Sequence, residues 1–118
     1  MEDDEVVHRT VEGQRWKATA TAGVEYCGLR SHGADGGATF LVRIARGARV
    51  PLHDHPGGEE VYVLGGRARI GGQPVKTGDF FWTPPGGKHD LVADEETLIY
   101  VNAPRGVQFL KSSCYLRH

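Results

Sequence analysis

Glycine breaks this chain into short pieces, and that punctuation constrains the fold more than any other feature. Seventeen of 118 residues are glycine, yet they follow no three-residue period and gather in no linker, which excludes collagen-like and low-complexity chains. Between them lie runs rich in β-branched and aromatic residues at 24–30, 38–46, 60–64, 67–70, 79–83, 89–93 and 97–102. Short strands at such spacing predict an all-β sandwich or barrel. No stretch holds a 3.6-residue apolar period for more than a few residues, so helix content is expected to be small. The paired glycines Gly65-Gly66 predict a two-residue hairpin across 61–70, because adjacent glycines supply the positive φ angles of a type I′ turn.

The length suffices for one domain and leaves no room for a second core. Strand patterning is clear from 16 to 110, while 1–15 reads as an N-terminal segment and 111–118 as a C-terminal tail, either frayed or lent to a partner subunit. The longest apolar runs, Val61-Tyr62-Val63-Leu64 and Leu98-Ile99-Tyr100-Val101, are far too short for a transmembrane helix. Fourteen basic against fifteen acidic residues, with the cations scattered, give no electrostatic footprint for nucleic acid. The acidic start Glu2-Asp3-Asp4-Glu5 lacks the features of a secretory signal, and Cys27 and Cys114 follow no CxxC spacing; both point to a reducing cytoplasm.

The chemistry concentrates at Val50-Pro51-Leu52-His53-Asp54-His55-Pro56-Gly57-Gly58-Glu59-Glu60. Residues two apart on a strand share a face, with Cα atoms about 6.5–7 Å apart. Both imidazoles can therefore converge on one ion at roughly 2.0–2.2 Å from each nitrogen. A turn at Pro56-Gly57-Gly58 brings a carboxylate back beside them, from Glu59 or Glu60. A second segment, Gly78 to His89, ends in a histidine after the Pro84-Pro85-Gly86-Gly87 turn. A lone His-x-His has many explanations other than metal; four candidate donors flanked by turn glycines and prolines have fewer.

These segments resemble the two cupin motifs, GxxxxxHxHxxxExxxxxxG over Gly47–Gly66 and GxxxxxPxGxxH over Gly78–His89. The resemblance implies a single jelly-roll β-barrel in which His53, His55, Glu59 and His89 hold one divalent metal ion, Fe favoured, with Zn, Mn, Ni or Cu as alternatives. The second motif usually continues to an asparagine where this chain has Ala93, a departure that touches no ligand. From about Trp16 to Phe109 the sequence is similar to the cupin-like domain of zinc-binding anti-sigma factors and to acetylacetone-cleaving dioxygenases. In the dioxygenase group the three histidines alone can hold the metal, which would leave Glu59 as a base.

The function expected first is a mononuclear non-haem iron dioxygenase of a small chelating, for example enolisable, substrate, with Glu59 as ligand or proton carrier. The alternatives are a non-catalytic zinc or ligand sensor and a Zn or Mn Lewis-acid isomerase or lyase. A homodimer is expected by analogy with small cupins. Arg43 either leans into water or clamps a substrate carboxylate from inside the barrel. The aromatic run Phe80-Phe81-Trp82 with Tyr100 predicts burial on both strand faces, either against the second sheet or in a dimer interface. Cys27 is expected to pack as a small buried hydrophobe or to line the pocket, and His8, His32 and His118 to be solvated or locally bonded.

Overall fold

A computed structural model describes residues 5–106 and the strand residues 108–109. The tail expected at 111–118, with Cys114 and His118, lies outside the described residues. Eleven strands run in chain order: β1 Lys17–Ala18, β2 Val24–Ser31, β3 Ala38–Ile44, β4 Arg49–Asp54, β5 Glu59–Gly65, β6 Arg67–Ile70, β7 Gln73–Lys76, β8 Phe80–Thr83, β9 Lys88–Ala93, β10 Thr97–Ala103 and β11 Gln108–Phe109. A single 3-10 turn at Gly33–Asp35 is the only helical element among the described residues.

The strands form two antiparallel sheets, one in the order β1-β2-β3-β10-β5-β8 and the other in the order β11-β4-β9-β6-β7. This is the two-layered all-β architecture of a jelly roll. Period-2 alternation drives the layers together. Along β5, Glu59, Val61 and Val63 are buried while Glu60, Tyr62 and Leu64 are exposed. From the six-stranded sheet Phe40, Val42, Val61, Val63, Ile99 and Val101 face inward, and from the five-stranded sheet Val50, Ile70, Leu91 and Ala93 meet them. Each such side chain contributes about 1.5–3 kcal/mol on burial.

The hairpin expected across 61–70 does not form. β5 pairs with β10 and β8, so both of its edges are taken, and β6 pairs with β7 and β9 in the opposite sheet. Gly65-Gly66 is instead the crossing point between layers. Gly66 has φ +93°, and a Cβ there would lie 2.2 Å from Glu96 O and 2.8 Å from Thr97 Cα, so only glycine passes this close to the start of β10. The type I′ geometry appears one glycine pair later. Gly71 and Gly72 both have positive φ and join β6 to β7 with Ile70 opposite Gln73. Strand β7 escaped the sequence reading because it contains Pro74, which is tolerated here on a sheet edge.

The expectation that the aromatic run is buried on both faces holds only in part. Phe81 packs against the core, but Phe80 and Trp82 are 56% and 50% exposed, since β8 is the outermost strand of its sheet and no third layer covers it. Arg43 also points outward. Its Nη2 donates to Glu25 Oε1 at 2.8 Å, and its guanidinium lies 4.1 Å from the centre of the Trp16 ring. It therefore clamps nothing inside the sandwich. Cys27 is buried as expected, paired with Leu41 on the face opposite the cavity-lining Phe40 and Val42.

Candidate metal centre

The sequence places two histidines beside a tight turn, and the fold completes the set from a second strand and a second sheet. His53 lies near the end of β4 and directly opposite His89 of β9. His55 follows β4, where the 56–58 turn is closed by Gly58 N–H donating to His55 O at 3.0 Å. Gly58 has φ +81°, and a Cβ there would meet Trp82 at 2.7 Å, so the turn depends on glycine to return the chain into β5. The first residue of β5 is Glu59, which enters from the six-stranded sheet. Glu60, the other carboxylate candidate, is exposed on the opposite face.

One donor atom from each of His53, His55, Glu59 and His89 lies within 4.8 Å of all the others. All four residues are buried, with at most 8% exposure. The three imidazoles form a tight triangle, with centroid separations of 4.5, 4.8 and 4.3 Å, and Phe81 closes one side edge-on to His89 at 5.8 Å. Thus the four residues named from the sequence are brought together.

The partners behind the rings fix which nitrogen faces the centre. His53 Nδ1–H donates to Pro51 O and His55 Nδ1–H donates to Gly87 O, both at 2.7 Å. A carbonyl only accepts, so in each ring Nδ1 carries a proton and Nε2 is the nitrogen that faces the site. His55 Nε2 is buried and lies 3.3 Å from Glu59 Oε1. At that separation the pair is satisfied by a cation, either a proton on Nε2 or a metal ion that replaces it. Glu59 Oε1 is likewise 3.5 Å from His89 Nε2.

Electrostatics agree. Burial opposes charge on Glu59, but hydrogen bonding from His55 and His89 outweighs it and lowers the carboxyl pKa to about 2. Glu59 is therefore an anion. Burial lowers His53 to about 4, against the attraction of Glu59, and leaves it neutral and ready to ligate. Burial works against a charge on His55 as well, yet the adjacent Glu59 prevails and its pKa is raised. Three nitrogens and one hard anionic oxygen gathered around one point fit a divalent transition ion.

Around the donors lies an apolar cavity of about 30 Å³ walled by Phe40, Val42, Val50, Ile70, Leu91 and Ile99, among others. That is room for about two water-sized groups. Among the described residues, no Lys or Arg lines it. Of the histidines outside the motifs, His32 bonds locally to Thr39 at 2.8 Å and His8 is exposed. The sequence reading missed Thr83, Pro51 and Gly87, the groups behind the three rings. Two of these act through backbone carbonyls, which leave no trace in residue type. For Thr83 the alternation Phe81, Thr83 on β8 was the one available signal.

Residues 3–107 match the ChrR cupin-like domain family. The chain belongs to this family. Among solved structures, it is similar to an acetylacetone dioxygenase from Acinetobacter johnsonii, with a TM-score of 0.80 at 16% identity over 97% of this chain and 85% of that one. An RmlC-like cupin protein from Ralstonia eutropha JMP134 gives 0.81 at 15% identity, over 98% and 79%. The complex of Rhodobacter sphaeroides SigE with the anti-sigma ChrR gives 0.69 at 27% identity, over 80% of this chain and 52% of that one. No curated protein matches the sequence.

Proposed function

We propose that this protein binds one divalent metal ion through His53, His55, His89 and Glu59 and, loaded with Fe(II), acts as a mononuclear non-haem dioxygenase on a compact chelating substrate. The observation that carries the reading is the grouping of the four donors, three of which, His53, Glu59 and His89, line a cavity whose other walls are apolar. Four protein ligands leave positions open on a six-coordinate ion. When bound, iron supplies Lewis acidity and one-electron chemistry towards O2.

The chain's own contributions follow from the geometry. His53 and His55 are held for ligation by their backbone acceptors. Glu59, ionised and facing two ring nitrogens, either ligates or takes a proton at Oε1 from an acidic C–H or O–H of the substrate. The apolar walls exclude water from the reacting groups. The described lining is apolar apart from His53, Glu59 and His89, which favours substrates whose polar atoms all lie at the metal end.

A second reading, a non-catalytic sensor of metal or of a very small ligand, draws support from the cavity volume: 30 Å³ takes a diatomic molecule more readily than a diketone. Oxygen uptake by the Fe(II)-loaded protein with diketones, thiols and catechols separates the two. Substrate-dependent uptake that vanishes in His89→Ala supports the dioxygenase. Stoichiometric iron with no uptake across the panel refutes it in favour of the sensor.

A further inference from the structure

Among the described residues, His89 is backed by a side chain where His53 and His55 are backed by carbonyls. Its Nδ1 lies 3.3 Å from Thr83 Oγ1, and the pair is buried. Thr83 stands directly opposite Glu59 across the β8–β5 pair, so the two side chains share the inner face. A Cβ on Gly87 would lie 2.6 Å from Thr83 Cγ2, and Gly87 is the residue whose carbonyl holds His55. One threonine thus touches the support of His55, faces Glu59 and partners His89. It occupies a variable position of the Gly78–His89 motif.

A hydroxyl differs from a carbonyl in that it both donates and accepts. We propose that Thr83 is a positioning residue that lets His89 exchange tautomers as the site fills, while the carbonyls behind His53 and His55 keep a proton on Nδ1 of each ring in both states. In the metal-free site Thr83 O–H donates to His89 Nδ1, and the ring proton on Nε2 is directed at Glu59 Oε1, 3.5 Å away. In the loaded site the proton sits on Nδ1 and is donated to Thr83 Oγ1, freeing the Nε2 lone pair. The ring gains and loses no net proton in this exchange.

This inference rests on the metal reading of the site, and the test separates the two. Zinc affinity is measured by competition with a chromophoric chelator for the wild type, Thr83→Val and Thr83→Ser. Imidazole ¹⁵N shifts of His89 are read in the metal-free and zinc-loaded proteins, and thermal melts of the metal-free proteins verify folding. Thr83→Val is expected to weaken zinc binding by about 10–100-fold, Thr83→Ser to restore it to within about threefold of wild type, and the His89 shifts to change from the Nε2–H to the Nδ1–H pattern on loading. Equal zinc affinity in wild type and folded Thr83→Val, or an Nδ1–H pattern in both states, overturns the inference and leaves the metal centre standing. A wild type that takes up no zinc overturns both. Should Thr83→Val fail to fold, the wild-type ¹⁵N shifts decide alone.

Discussion

Loading a divalent ion displaces a proton from His55, and Glu59→Gln abolishes that displacement. At pH 6.5 Glu59, with a pKa of about 2, and His53, with a pKa of about 4, have no proton to give. His55 does, because the neighbouring carboxylate raises its pKa above 6.5 despite burial. Its Nδ1 is committed to Gly87 O, so the proton at stake is on Nε2, the atom that must bind the ion. Below the raised pKa of His55 this exchange makes affinity rise about tenfold, or about 1.4 kcal/mol, per pH unit. In Glu59→Gln the Coulombic support is gone, burial dominates, and His55 is mostly neutral at the same pH. Calorimetric zinc titrations in two buffers of different ionisation heat count the protons released. At pH 6.5 the wild type is expected to release roughly 0.5–1 proton per ion more than the variant. Equal proton release by two proteins that both saturate with zinc would refute the assignment of the raised pKa to the Glu59 contact.

The metal-free protein should be most stable near pH 6.5. His53 has a depressed pKa in the fold, so its contribution is complete above 6.5 and is lost as pH falls towards 4; Glu59 adds a second loss from about 4.5 towards 2. His55 contributes below 6.5 and ceases to as pH rises through its elevated value. Urea melts across pH measure both arms, and an acid arm unchanged in His53→Gln would contradict the first. Gly66→Ala should cost about 3 kcal/mol or more because its Cβ meets backbone atoms, whereas Gly72→Ala, with positive φ but open space around it, should cost only about 1–2 kcal/mol. Similar urea midpoints for the two would deny the close approach at the crossing. Ile70→Ala removes a fully buried wall of the metal cavity and should cost about 2–5 kcal/mol. If the protein turns over a chelating substrate, this variant should accept bulkier homologues, measured as a shift in relative kcat/KM.

The sequence made the donors legible because their spacing is local: His-x-His on one strand face, a glycine turn, then a carboxylate, with a histidine after a second glycine and proline turn. The distance of Glu59 from Gly66 favours it over Glu60, and because adjacent residues on β5 face opposite ways only one of the two enters the site. What it could not show was pairing. The Gly65-Gly66 dipeptide carries the same local signal as Gly71-Gly72, and only the capture of both β5 edges by β8 and β10 decides that the first is a crossing and the second a hairpin. The same limit applies to Arg43, which sits in an apolar strand and whose side depends on the register of β3 against β2 and β10. Thr83 became visible only when β8 was laid against β5, because its role comes from contacts with residues on β5, β9 and the 84–87 turn.

The donor set draws on both layers of the sandwich: His53 and His89 belong to the five-stranded sheet and Glu59 to the six-stranded one. Whatever cation fills the centre is therefore a rivet through the fold as well as a reagent held by it. Resistance of the layers to sliding should track ion occupancy, and a free ion concentration a hundred times its Kd adds about 2.7 kcal/mol to the folded state. Such coupling converts an atomic event, the arrival or loss of one ion, into a change in the stiffness of the whole domain. Rates of proteolysis with and without the ion would register that change away from the site.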